Sequence, residues 1–138
     1  VPDVPEWQED DVFNAEEWVL LSHDRQEVRK LMWDYVGILR SDFRLKRAAR
    51  RIGMIAQEVE AFYKRTKITE ALLELRNITT VSALTVRCAL DRRESRGLHY
   101  NLDCPEQDES QPPFDMMLSV QETWEGVPSL IAWTEIED

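Results

Sequence analysis

Two histidines, two cysteines and a dense run of arginines are the side chains of this 138-residue sequence that could do more than solvate a surface. His23 and His99 could move protons or bind a metal, but neither stands in an HExxH or any other zinc-ligand spacing. Cys88 and Cys104 form no CxxC, so a metal site is not expected. Two free thiols are expected instead, and whether the pair can bridge stays open. The 4 glycines make no glycine-rich phosphate loop. Serines and aspartates for a nucleophilic triad are scattered along the chain, and the paired carboxylates gather near its ends, where exposed acids serve solvation.

One block concentrates oriented hydrogen-bonding groups: Arg92-Arg93-Glu94-Ser95-Arg96-Gly97-Leu98-His99-Tyr100, read RRESRGLHY. Arg92, Glu94, Ser95, Arg96 and His99 are candidate docking residues, because guanidinium and carboxylate groups form directional, charge-assisted bonds. The same groups could instead tie the chain to itself after a helix, and both roles can hold together. His99 reads as a hydrogen-bonded structural histidine rather than a proton carrier.

Helices must position this block. Asp24 with Glu27 matches a capping box, and Val28, Leu31, Met32, Tyr35, Val36 and Leu39 follow at the spacing of one apolar helical stripe. Gly37 weakens the last turn, and Ser41 or Asp42 can cap the next helix. The second helix is the clearest: Leu45, Ala48, Ala49, Ile52, Ile55, Ala56, Val59, Phe62 and Tyr63 share one face, and Arg44, Lys46, Arg47, Arg50 and Arg51 the other. A third runs from near Thr69 to about Arg93, apolar around most of its circumference and therefore expected to be central. Arg76 and Asn77 interrupt it and are expected to make buried interhelical hydrogen bonds. Gly97 falls where a left-handed helix cap would sit. Trp33, beside Met32 and Tyr35, is expected to make a packed contact, over the bundle or against a neighbouring domain. After Leu102 the reading is a polar, proline-bearing linker over 105–113, then a terminal hairpin or extended tail built on Phe114, Met116, Leu118 and Val120 and on Leu130-Ile131-Ala132-Trp133.

The expected fold is thus mainly α: an irregular acidic segment over 1–21, a three-helix up-down-up bundle over 22–104, and an acidic linker with tail or hairpin over 105–138. Charge follows the same division. All 17 bases fall within 22–97, whereas 1–21 and 98–138 hold only acids, for a net charge of -10. The basic middle can be wrapped by the acidic ends or can face an anionic partner. The overall balance and the lack of interleaved aromatics argue against nucleic acid. No apolar run is long enough for a membrane span, and the acidic, proline-bearing start is unlike a signal peptide. A first residue of Val1 rather than Met leads us to expect a processed product or a piece of a longer polypeptide.

RRESRGLHY, together with LMWDYVGILR (Leu31 to Arg40) and ALLELRN (Ala71 to Asn77), resembles the C-terminal helical domain of the succinate dehydrogenase and fumarate reductase flavoprotein family, most of all its L-aspartate oxidase branch. The resemblance covers about residues 22–105. It implies a cytoplasmic FAD enzyme that oxidises L-aspartate to iminoaspartate for quinolinate and NAD synthesis, passing electrons to oxygen or fumarate. It also implies that flavin-binding and capping domains elsewhere in the same polypeptide hold the FAD and the active-site Arg and His residues. No catalytic, cofactor-binding or metal-binding residue is carried over to this chain, whose implied role is to buttress the flavin domain. Two alternatives stand beside it: a dehydrogenase or fumarate reductase flavoprotein subunit, suggested by the tail pattern Trp124…Gly126…Trp133, and a free-standing helical interaction module that grips an acidic protein. Oligomeric state stays open, a homo-oligomer being compatible with an exposed apolar patch.

Overall fold

The computed structural model describes residues 17–118. Along them run α1 (Glu17–Tyr35), β1 (Leu39–Arg40), α2 (Asp42–Tyr63), α3 (Glu70–Asp91) and β2 (Tyr100–Asn101). Arg25 of α1 meets Glu74 of α3, Glu27 meets Arg51 of α2, and Glu60 of α2 meets Arg76 of α3. Arg93, just past α3, returns to Asp42 at the start of α2. Those pairings run α2 against both neighbours, which gives the expected up-down-up bundle.

The first helix begins earlier than its sequence suggests. Asp24 lies inside α1 rather than at its cap, and 17–21, expected to be irregular, are already helical. Leu21 explains the difference. It is buried and sits seven residues before buried Val28, hence on the same helical face, but Asp24 and Arg25 occupy the intervening positions and interrupt the apolar pattern. Glu27 does not fold back to cap; it accepts hydrogen bonds from Arg51 of α2.

The same helix also stops short. α1 ends at Tyr35, so Leu39 leaves the predicted stripe and sits half-exposed in β1. A Cβ on Gly37 would lie 3.0 Å from the Trp33 carbonyl oxygen, so glycine lets the chain turn closely against the helix end. The Arg40 guanidinium then folds back, its Nε donating to the carbonyls of Gly37 at 2.9 Å and Val36 at 3.3 Å. Those carbonyls lack helical partners, and a basic side chain supplies them.

The other helix starts follow the sequence. Ser41 caps α2, its Oγ accepting from Arg44 N at 3.3 Å, and Thr69 caps α3 by accepting from Leu72 N at 3.3 Å. Leu45, Ala48, Ala49, Ile52, Ile55 and Val59 of α2 pack on Leu72, Leu75, Ala83, Val86 and Ala89 of α3 and on Leu21, Val28, Leu31 and Val36. The alanines and buried Gly53 let the helices approach closely. α3 touches both other helices, as α1 and α2 also do, and Leu73 and Val81 remain exposed, so it is not the enclosed central helix that its apolar circumference suggested. Two neighbours cannot surround a helix, so its third side stays open.

β1 and β2 pair in parallel, Leu39 beside Tyr100 and Arg40 beside Asn101. This small pair joins the α1–α2 connection to the segment after α3. Phe114 to Leu118 is irregular rather than a strand, and the rest of the expected hairpin lies outside the described residues, as does most of the acidic N-terminal segment.

Candidate functional site

The RRESRGLHY block forms a compact loop beyond α3, and its polar groups converge on one carboxylate. Glu94, 4% exposed, accepts from Arg92 Nη1 at 2.9 Å, from Arg96 Nε at 3.0 and 3.1 Å, and from the backbone N–H of Asp108 at 3.0 Å. The hydrogen bond from Arg96 is the main reason its carboxyl titrates below the ordinary range; burial opposes this, and the Asp108 N–H adds to it. Arg96 also donates through Nη2 to Asp108 O at 3.1 Å. Arg92 donates to Phe114 O at 2.9 Å while its guanidinium lies 5.0 Å from the Phe114 ring centre.

Ser95 fixes the next layer. Its N–H donates to Glu106 O at 3.0 Å, its hydroxyl donates to Cys104 O at 2.7 Å, and its Oγ accepts from Asn101 N at 2.9 Å. The segment over 105–113, expected to be a linker, is therefore laced to the loop. Between Arg96 and His99 the backbone closes a tight turn with bonds of 3.0 and 3.1 Å in both directions. Gly97 occupies this turn with φ +63°, the left-handed conformation expected of it, but six residues past the end of α3 rather than as its cap.

His99 faces Arg40 of β1, whose Nη1 lies 2.8 Å from Nδ1. A guanidinium can only donate, so Nδ1 accepts and the imidazole proton sits on Nε2. Burial lowers the His99 pKa most, the Arg40 charge lowers it further, and the Arg92 backbone pulls the other way by less. The ring is thus neutral and held through Nδ1, while Nε2 is buried without a hydrogen-bond partner among the described residues. Arg40, Arg92 and His99 border a shallow groove of about 390 Å³ whose floor is Val81, Leu84, Thr85, Cys88 and Ala89.

Asn101 is the buried polar side chain of the loop that the sequence reading missed. It is fully buried, donates through Nδ2 to Asp42 Oδ1 at 2.8 Å, and accepts at Oδ1 from Asp103 N at 3.1 Å. Asp103 in turn accepts from Asp42 N at 2.7 Å, and Arg93 donates to Asp42 Oδ2 at 2.7 Å. Burial alone would raise the Asp42 pKa, but the bonds from Asn101 and Arg93 outweigh it and lower the pKa overall. No local signal marked it: in Tyr100-Asn101-Leu102 the amide is buried and both apolar neighbours are exposed, the reverse of what an ordinary half-buried strand would lead one to expect.

The remaining candidates separate. Arg76 makes the expected interhelical contact, with Nε donating to Glu60 at 2.8 Å and the guanidinium 4.5 Å from the Tyr63 ring centre. Asn77 is exposed rather than buried, because it falls on the outward side of α3. Trp33 is 85% exposed on the last turn of α1, so it does not cover the bundle. Cys88 and Cys104 are both free thiols, each partly buried. The basic face of α2 lines a groove of about 570 Å³ with Arg47, Arg50 and Arg51 beside Phe43. Among the described residues His23, Asp24 and Glu27 are the one group whose ligand atoms cluster within 4.8 Å, and Glu27 is already held by Arg51. No helix among the described residues is long and apolar enough to cross a membrane.

Chemically the loop is a set of charge-assisted bonds that fix shape; none of its residues pairs a nucleophile with a base. The family model described as fumarate reductase flavoprotein C-term matches residues 25–127. The chain is 50% identical over 110 residues to an L-aspartate oxidase of Yersinia pestis, covering 80% of this chain and 21% of that protein. It is 46% identical over 106 residues to the L-aspartate oxidase of Acinetobacter baylyi, covering 77% of this chain and 20% of the relative. For the L-aspartate oxidase of Vibrio cholerae the identity is 48% over 104 residues, with 75% and 19% covered. The chain spans about a fifth of the length of these relatives. These matches bear out the resemblance drawn from the three sequence blocks: the chain belongs to the fumarate reductase flavoprotein C-terminal family.

Proposed function

We propose that this member of the family is the C-terminal helical domain of an FAD-dependent L-aspartate oxidase, buttressing the flavin-binding portion and contributing no reacting group. The extent of the match to L-aspartate oxidases carries the reading. The described residues do not fit a flavin site of their own. Gly37, Gly53 and Gly97 are scattered through a helix end, a helix interior and a tight turn, so no backbone cradle for a pyrophosphate exists among them. The FAD, with the residues that touch substrate, is accordingly assigned to the longer part of the parent polypeptide.

In that parent, bound FAD supplies the two-electron acceptor, and L-aspartate leaves as iminoaspartate for quinolinate and NAD synthesis in the cytoplasm. This chain contributes rigidity. Glu94 with Arg92 and Arg96 fixes the outline of the loop, Ser95 and Asn101 fix its depth, and His99 with Arg40 joins it to the end of α1. Pre-organised supporting shells of this kind keep a neighbouring site in register without entering it.

The test is aspartate-dependent peroxide release by the chain alone and after mixing with the separately produced flavin-binding portion. Silence alone with activity on mixing is the expected result. Turnover by the 138-residue chain itself would overturn the non-catalytic assignment. Silence of a confirmed, flavin-loaded complex would overturn the assignment to aspartate oxidation.

A further inference from the structure

We propose that the apolar face carried by β1 and β2 is the seat of the flavin-binding portion of the parent polypeptide. This rests on the proposed function above and deepens it by naming the surface. In a parallel pair, residues in register share a side of the ribbon. Arg40 and Asn101 share the inner side, where Asn101 is fully buried. Leu39 and Tyr100 share the outer side, both with 40–50% of their surface in solvent. Ile38, Leu98 and Leu102 flank them, each half or more exposed, and Trp33 lies one helical turn before Gly37.

Isolated exposed leucines are ordinary, but this concentration on one ribbon is not. The face is also rigid. Leu98 is 85% exposed at the tip of the turn locked by Arg96, Gly97 and His99, so the backbone holds it out rather than leaving it to fold inward. Beneath Tyr100 and Leu102, Asn101 is bonded at both ends of its amide. A fixed apolar cluster over a satisfied polar base has the anatomy of an interface hot spot. The polar groups of Arg92, Glu94, Ser95 and Arg96 are engaged within the chain, so they frame this face while the apolar side chains are left to meet a partner.

The occupant follows from length. Relatives of this chain carry about four times as much polypeptide again, and their match to it covers only about a fifth of each. A covalently attached partner of that size needs a seat, at high effective concentration and without a large affinity of its own. The five bases on the exposed side of α2 are suited to solvent or to acids rather than to an apolar contact.

Amide hydrogen exchange in the intact parent polypeptide and in the 138-residue chain alone tests the proposal. Amides of 38–40 and 98–102 should exchange at least about tenfold more slowly in the parent, because docking removes their local openings. Leu98→Ser and Tyr100→Ser in the parent should return that exchange to the isolated-chain rate while leaving the helices' protection unchanged. Protection gained only elsewhere, for example along α2, would overturn the face while leaving the proposed function intact. No protection gained anywhere, in a parent that binds flavin, would overturn both. Protection of this face that grows with concentration of the isolated chain, with none added in the parent, would identify a second copy as the occupant and overturn the proposal.

Discussion

Asn101 and Asp42 lie 59 positions apart in sequence, yet the Asn101 amide donates to the Asp42 carboxylate at 2.8 Å and closes the loop after α3 onto the start of α2. The carboxylate also takes Arg93, and the Asp42 backbone N–H is held by Asp103. One buried amide thus joins an N-terminal helix turn, a two-residue strand and a loop. Asn101→Ala should destabilise the chain by about 1–3 kcal/mol, since it leaves buried partners unsatisfied. Asn101→Asp should be worse, because it places a second carboxylate against Asp42. Equilibrium urea unfolding checks both, and a wild-type midpoint for Asn101→Ala would remove the amide from its central role.

Gly97 separates backbone strain from steric clash. Its φ is +63°, and a Cβ added there would meet no atom within 4 Å. Gly97→Ala should therefore lose about 1–2 kcal/mol through conformation alone. Gly97→Asn should lose less, since asparagine tolerates the left-handed region, and Gly97→Val should lose more. The order of the three melting temperatures is the measurement. Equal melting of the valine and asparagine variants would show that the turn adopts another conformation.

Arg76 and Asn77 are neighbours with opposite fates. Arg76 bonds Glu60 and stacks on Tyr63, with 30% of its side chain still in solvent. Allowing for screening, Arg76→Ala should lose about 1 kcal/mol. Exposed Asn77→Ala should be neutral or stabilising by up to about 0.5 kcal/mol, because alanine is the better helix former. Thermal melting of the two variants gives the comparison, and equal losses would contradict the exposed placement of Asn77.

How much of this was legible depended on whether a local pattern decided the outcome. The cap at Ser41, the start of α3 near Thr69 and the α2 stripe were readable, because capping and helical periodicity act within a few residues. The start of α1 was hidden by Asp24 and Arg25, whose polarity broke the stripe between Leu21 and Val28. Its end was hidden because Leu39 kept helical spacing, while Gly37 and the returning Arg40 side chain set the stop. The arginine-rich loop stood out by composition, but its centre did not. Asn101 owes its importance to Asp42, a contact across 59 positions that no local window contains.

Acid should weaken the chain in two ordered steps. His99 is held neutral, with its folded pKa below the ordinary value. Its contribution is complete above about pH 6.5 and is lost as pH falls from there toward the folded pKa. Asp42 and Glu94 also have lowered pKa values, so their contributions are complete above the ordinary carboxylate range near pH 4 and are lost as pH falls below it. Melting temperature against pH should show both legs. His99→Gln should flatten the upper leg and Glu94→Gln the lower, whereas an unchanged upper leg in His99→Gln would assign it to another group.

Arg96 holds the segment after the loop as well as Glu94. Its guanidinium bonds both Glu94 oxygens and the Asp108 carbonyl, and Glu94 accepts the Asp108 N–H in return. Arg96→Ala breaks the first set and removes the larger of the two arginine contributions that favour the ionised Glu94 carboxylate, leaving Arg92. Residues 105–114 should then come away from the loop before the helices respond, because α1, α2 and α3 share a separate apolar core. Faster exchange of the Asp108 and Ser95 amides, and earlier protease cutting between 105 and 114, should precede any change in helical content. Lysine at this position should restore the charge but not the paired donors, and so recover only part of the protection. If Arg96→Ala instead melts the helices in step with the segment, the loop and the bundle are one cooperative unit, and the clasp contributes to the stability of the whole domain.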